Sequence, residues 1–388
     1  MEVIKGMDMP NAVRLPARID GLDGLRGIAL LMVILAHVHL LNFGWVGMQS
    51  FFVLSGFLIT RILLKDKKVS TSFKSFLGMF YMRRVLRVFP LYYSYLTVIA
   101  IGALLLGLMA AVSPHLLPAY TYTYNYFHLG ADYPHSHFFS HLWSMAVEEQ
   151  FYLIWPLVIY LVPRRNLKST LILLILAGPL LRLATWWIWP PDIGVPLTSK
   201  VTLAVYLLTP SHMDAFAAGA LVNLVNWRVR YSHVLILLAL LFAVGVATNG
   251  IGIKATHATG SVLSLGWPVM MPKSMQFIWG YSAINLFWLA TILAIINADN
   301  GSGPFRWQVF DWLGKRSYSS YIVHYPILFA MLPLWDFCND FTGNRISGAL
   351  LLLTIYLPIT LFIADLTYRY IELPTLAFKN HFSTHPST

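Results

Sequence analysis

A single cysteine, Cys338, occurs in the 388 residues. It excludes an intrachain disulfide framework and any CxxC metal knuckle. Charge is scarce as well. Asp, Glu, Lys and Arg supply 11% of the chain, against about 25% in an ordinary soluble domain. That scarcity excludes a conventional soluble globular enzyme. A hydrophobic share of 57% excludes disorder, because ample apolar surface is available to bury. No GxxxxGK[ST] or GxGxxG loop occurs, so no glycine-rich loop cradles a phosphate. No GxSxG elbow presents a nucleophilic serine. Ser55 lies within an apolar stretch with no base partner evident from the sequence. Acidic residues are the scarcest charged class, 16 against 27 Lys and Arg, for a net charge of +11. Alone, that excess suits a nucleic-acid binder, so its placement along the chain decides its meaning.

Long apolar stretches are abundant. Crossing a bilayer takes roughly 20 apolar residues in a helix. Ten candidate stretches occur, at about 26–43, 45–64, 88–112, 138–162, 169–189, 201–225, 232–249, 275–298, 317–337 and 348–371. The sequence therefore predicts an all-α, polytopic integral membrane protein of about ten spans. The first stretch is not a secretion signal: it starts at Arg26, and bulky Asn42-Phe43-Gly44-Trp45 follows where a cleavage site would need small residues. With the N-terminus cytoplasmic, 22 of the 27 Lys and Arg fall on the cytoplasmic side and four on the other, with Arg182 inside span five. That split obeys the positive-inside rule. It predicts a multi-pass protein of the plasma (inner) membrane with both termini cytoplasmic. The basic charge is spread over six short segments, so a nucleic-acid partner is not expected. The expected organisation is a cytoplasmic segment 1–18, a transmembrane domain 19–375 and a cytoplasmic tail 376–388.

Ionisable side chains inside a span are costly and tend to face a cavity. They include His37, His39, His141, Glu148, Glu149, Arg182, Asp214, His324 and Asp365. Arg26 and His37 are eleven residues apart, about 20° past three full helical turns, so they share a face with a rise of about 16 Å. Glu149 stands eleven residues into span four, which runs the other way, so His37 and Glu149 are expected at one depth. A carboxylate beside an imidazole holds one tautomer and suits a general base. The plain alternative is a helix–helix hydrogen bond from a buried histidine. Glu148 and Glu149 point about 100° apart, so one of them is expected at the site. Arg84 and Arg87 share a helix face at the start of span three. Guanidinium forks match phosphate oxygens, so these two are candidates to hold a nucleotide phosphate, with Arg83 an anchoring charge. Loop 113–137 is rich in Tyr and His and has no Lys or Arg. It fits either an interfacial aromatic belt or a shelf for a sugar. His135-Ser136-His137 is too close-set for a metal pair and no cysteine supports one, so no metal is expected.

Six motifs in order resemble the membrane-bound acyltransferase 3 family, ten-span enzymes that acylate sugars and related acceptors. They are Ile19-Asp20-Gly21-Leu22-Asp23-Gly24-Leu25-Arg26-Gly27 with His37, similar to the family's Arg-x10-His signature; Phe51-Phe52-Val53-Leu54-Ser55-Gly56-Phe57; Arg84-Val85-Leu86-Arg87; Leu142-Trp143-Ser144 through Glu148-Glu149-Gln150-Phe151-Tyr152; Ser317-Tyr318-Ser319-Ser320-Tyr321-Ile322-Val323-His324; and Glu372-Leu373-Pro374. The resemblance spans Asp20 to Pro374. It implies that Arg26 and His37 are catalytic, that Glu149 supports them, and that Arg84 and Arg87 bind a cytoplasmic acyl-CoA. Glu148, His324, Tyr152 and Ser320 are further supporting candidates. One departure stands out. Family members often carry an acidic residue just before the Phe-Phe of span two, and Gln49 is here, which cannot act as a base.

The implied activity is transfer of an acyl group, acetyl by default, from cytoplasmic acyl-CoA to a hydroxyl of a saccharide or related acceptor. Acyl-CoA is a co-substrate rather than a tightly bound cofactor. Only fourteen residues follow Pro374, so direct acylation, or acylation through a separate partner, is expected. The rival reading is a multi-span exporter of a lipid-linked saccharide, and a third is a non-catalytic binding scaffold.

Overall fold

The computed structural model describes residues 19–130, 133–188, 201–253, 264–269, 275–298 and 303–378. The regular structure among them is helical. In chain order the helices are α1 (Leu22–His37), α2 (Val46–Val69), α3 (Phe73–Leu105), α4 (Met109–Tyr120), α5 (Tyr124–Phe127), α6 (Trp143–Leu161), α7 (Arg164–Ile188) and α8 (Val201–Leu207). Then come α9 (Met213–Leu221), α10 (Tyr231–Ile253), α11 (Gln276–Asn297), α12 (Gln308–Lys315), α13 (Ser317–Ala330), α14 (Leu332–Thr342), α15 (Arg345–Thr367) and α16 (Leu373–Phe378). A π turn, Tyr368–Glu372, joins the last two.

Six helical segments are long and apolar enough to cross a bilayer: α2, α3, α7, α10, α11 and the run Arg345–Phe378. A seventh is the pair α13 and α14, bent by 63° at its break. The chain is a multi-pass membrane protein. Length and apolarity thus support six or seven spans among the described residues, fewer than the ten expected. The first stretch forms α1, a helix of 16 residues that ends on His37 instead of running to Phe43. The fourth forms α6, which carries Glu148 and Glu149. The sixth is broken into α8, a 3-10 turn containing Pro210, and α9. Span three is displaced the other way: α3 starts at Phe73, so Arg84 and Arg87 lie well inside the helix and not at its start.

Glycines set the close contacts. A Cβ at Gly24 would stand 1.7 Å from the Phe305 carbonyl oxygen, and one at Gly314 would stand 1.6 Å from that of Asp23. α12 therefore lies backbone to backbone on the first turns of α1, which carry Arg26. At the centre, a Cβ on Gly219 of α9 would meet the Val53 carbonyl oxygen of α2 at 1.8 Å. Small residues permit such approaches where no hydrophobic effect drives helices together. Charge is used sparingly inside. Arg182 of α7 forms a two-pronged pair with Asp214 of α9, at 3.1 and 2.9 Å, and donates to the Ile278 carbonyl of α11 at 2.6 Å. That pair ties three helices together. Cys338 is buried in a small satellite core with Leu30, Ile34, Leu328, Leu352 and Tyr356.

Candidate active site

A cavity of about 250 Å³ lies between α1, α2, α3, α6 and α13. Arg26, Arg84 and Arg87 open onto it. Arg26 donates to Asp23 Oδ1 at 2.8 Å across one helical turn. Arg84 is buried, its guanidinium over the Tyr152 ring at 5.6 Å, and its Nε has no protein acceptor. Arg83 takes no part. It is spent on a buried ion pair with Asp66 of α2. Glu372, placed by the π turn, is buried, accepts from Ser319 Oγ at 2.9 Å and stands within electrostatic reach of Arg26 and Arg87. π turns often mark functional sites because they re-aim one side chain.

α6 contributes one polar stripe to this cavity: Ser144, Glu148 and Tyr152. Their i, i+4 spacing stacks them on one face. Glu148 Oε1 accepts from the Tyr152 hydroxyl at 2.5 Å and from Ser55 Oγ. Ser55 thus has a carboxylate partner that the sequence did not disclose. Glu149, one residue on, faces elsewhere. Its surroundings are Arg84, Tyr92, Tyr122 and Tyr318, and its Oε1 has no hydrogen-bond partner.

His37 does not line this cavity and stands in a second cluster. Its ring centroid is 5.1 Å from that of His324 and 4.9 Å from that of Tyr325. His141 stands 5.7 Å from His324. Each imidazole gives one nitrogen to a backbone carbonyl: His37 Nδ1 to Val33 at 2.7 Å, His324 Nδ1 to Tyr321 at 2.7 Å, and His141 Nε2 to Ile322 at 3.2 Å. A carbonyl oxygen only accepts, so these nitrogens carry the protons in the neutral rings. The opposite nitrogen of each ring is a lone-pair acceptor. Those of His324 and His141 are buried without a partner. Neutral His324 therefore has no spare N–H with which to steady an oxyanion. Among the described residues no three His, Cys, Asp or Glu are arranged to hold a metal ion.

Cavity and cluster share a wall. Ser144 and Tyr321 line the cavity, and their hydroxyls are 2.5 Å apart. The Tyr321 hydroxyl also donates to the His141 carbonyl at 2.6 Å, and its ring packs 5.3 Å from that of His324. The structure thus gathers Arg26, Arg84, Arg87, Glu148 and Tyr152 at one chamber. It gathers His37 and His324 next door. It does not bring Glu149 to His37, whose ring neighbours come from α13. The expected shared depth rested on rise per residue alone, which ignores the direction in which each side chain leaves its helix. Ser320 is buried with an unpartnered Oγ outside both sets of contacts. Gln49 is fully buried, and its Nε2 donates to His212 Nδ1 at 3.2 Å. Ser144, Tyr321 and Tyr325 were not singled out from the sequence. The four-residue spacing of Ser144, Glu148 and Tyr152, and of Ser317, Tyr321 and Tyr325, was the signal available.

Comparison with known proteins agrees with this arrangement of motifs. The family model described as an acyltransferase domain matches residues 19–369. The peptidoglycan O-acetyltransferase OatA of Listeria monocytogenes is 29% identical over 381 residues, covering 94% of this chain and 57% of OatA. A provisionally named peptidoglycan O-acetyltransferase of Bacillus subtilis, YrhL, is 27% identical over 386 residues, covering 92% of this chain and 54% of YrhL. A provisionally named O-acetyltransferase of Staphylococcus aureus strain COL is 28% identical over 381 residues, covering 92% and 57%. The chain spans little more than half the length of these curated relatives. No solved structure matches it. With the family match running through both the arginine chamber and the histidine cluster, the chain belongs to the acyltransferase 3 family.

Proposed function

We propose that this protein transfers an acetyl group from cytoplasmic acetyl-CoA to a hydroxyl of a saccharide. The observation that carries the reading is the two-chamber arrangement. Three arginines line one cavity, and its inner wall, Ser144 and Tyr321, touches the cluster that holds His37. Arg84, Arg87 and Arg26 bind the phosphates of the donor, where guanidinium forks are well matched to phosphate oxygens. Glu148 and Glu372 stand beside these arginines.

His37 acts as the base. With Nδ1–H held by the Val33 carbonyl, its Nε2 lone pair takes the proton of the acceptor hydroxyl. That oxygen attacks the thioester carbonyl, the C–S bond breaks, and the proton ends on the CoA sulfur. Arg26 lies about 16 Å along α1 from His37, so an extended donor has its phosphates at one chamber and its thioester near the other.

Purified protein in lipid nanodiscs, given radiolabelled acetyl-CoA and a saccharide acceptor, tests this. Arg87→Ala and Arg84→Ala each raise the KM for acetyl-CoA about tenfold or more, the scale of a lost hydrogen bond to a charged group. Unchanged KM in both variants contradicts the donor site.

A further inference from the structure

At the His37 end of α1 the molecule carries a mouth of aromatic rings and imidazoles that the donor chamber does not include. From His37 a line of ring contacts runs outward: Tyr325 at 4.9 Å from His37, Phe329 at 4.7 Å from Tyr325, His137 stacked on Phe329 at 3.6 Å and 20°, and His135 at 5.0 Å from His137. On its other flank His39 pairs with Trp335 at 5.7 Å. Exposure rises along the line. His324 and His141 behind His37 are buried, His37, Tyr325 and Phe329 are half-buried, and His135, His137 and His39 are exposed. His37 is the half-buried inner end of this line.

We infer that this mouth, built on Tyr325, Phe329 and His137 beside His37, is the acceptor subsite and that it takes a neutral saccharide chain. The inference rests on the reading of His37 as base given above. Four observations support it. Rings with a polar edge suit a sugar, whose C–H faces pack on aromatic faces while its hydroxyls need donors and acceptors nearby. Among the described residues, the six that flank it, Tyr325, Phe329, His137, His135, His39 and Trp335, include no acid, lysine or arginine. Burial pushes the loop imidazole of His128 down to about 4, with His135 and His115 adding to the effect, and burial lowers His137 too, so these two rings favour the neutral form. The loop is also held in place beforehand. The Tyr133 hydroxyl bonds Ser140 Oγ at 2.8 Å and the Tyr124 hydroxyl at 3.1 Å, and Tyr124 bonds His115 Nδ1 at 2.8 Å. A preordered shelf loses less entropy on binding a flexible glycan.

Isothermal titration of chitotetraose and of maltotetraose into the whole chain in nanodiscs tests the subsite. At least one of these neutral oligosaccharides binds the unaltered protein. Phe329→Ala and His137→Ala each weaken that binding at least tenfold, and Arg87→Ala leaves it unchanged. Acetyl-CoA titrated into Phe329→Ala and His137→Ala binds as in the parent and reports folding. Should Phe329→Ala lose acetyl-CoA, Phe329→Leu, which keeps bulk without a ring, carries the same expectation. Absence of binding by both sugars, or binding indifferent to Phe329 and His137, overturns the proposal. The transferase reading fails separately. Sugar bound at this mouth but never acetylated contradicts that reading and leaves the subsite standing, while acetylation that ignores Phe329 and His137 does the reverse.

Discussion

Glu148 and Glu149 are neighbours with the same chemistry, yet a rotation of about 100° sends them into different surroundings. Glu148 completes a hydrogen-bonded cluster with Ser55 and Tyr152 on the donor chamber. Glu149 stands among tyrosines beside Arg84. Glu148→Ala leaves two hydroxyls without their acceptor, which costs about 1–3 kcal/mol. Glu148→Gln keeps an acceptor oxygen and costs less. Thermal unfolding in detergent checks the order: Ala below Gln below the parent. Equal melting of the Ala variant and the parent would show that the cluster adds nothing to stability. At this scale much was legible. The residue types of the site, Arg26, His37, Arg84, Arg87 and a glutamate of span four, can be picked out because ionisable groups are rare in apolar stretches. Their pairing could not be. Helical phase orders residues on one helix and leaves open which neighbour each face meets.

Helix termini and crossings carry the next set of consequences. Lys67 and Lys68 look alike in sequence, two basic residues in the last turn of α2. The Lys67 ammonium donates to the Ile159 and Tyr160 carbonyls at 2.8 and 2.7 Å, capping the last turn of α6, where a cation also meets the negative end of the helix dipole. Lys68 is exposed. Lys67→Met therefore costs about 1 kcal/mol and lowers the melting temperature, while Lys68→Met leaves it unchanged; equal effects would contradict the cap. Gly24 governs a crossing. A methyl there collides with the Phe305 backbone and pushes the 3-10 turn Pro304–Arg306, which leads into α12, off the first turn of α1. Gly24→Ala is expected to disturb Arg26 and raise the KM for acetyl-CoA, and an unaltered KM would count against the close approach. Most spans were legible because their mean hydropathy is high over a full bilayer width. α1, α6 and the α8–α9 segment fall short of that length or apolarity, because α1 ends at His37, α6 carries an acidic pair and the third breaks at Pro210.

Across the whole molecule basic residues outnumber acidic ones, 27 to 16. Arg83 pairs with Asp66, Arg182 with Asp214, and Arg316 with Asp365, and Arg26 of the arginine chamber pairs with Asp23. The proposed orientation puts Lys68 on the cytoplasmic face and His137 on the opposite one. In a Cys338→Ala background, a membrane-impermeant maleimide added to intact cells should label His137→Cys and not Lys68→Cys; the reverse pattern would invert the topology. That orientation places donor and acceptor on opposite sides of a wall made by Ser144, Tyr321, His141 and His324. His37 stands on the acceptor side of it, which makes His37 the group on which the whole account turns. The most direct test is acetyl transfer from labelled acetyl-CoA by folded, nanodisc-embedded His37→Ala. Loss of a positioned general base removes about 100- to 10,000-fold, so the account predicts a rate at least 100-fold below the parent with acetyl-CoA binding intact. Transfer at the parental rate would contradict it.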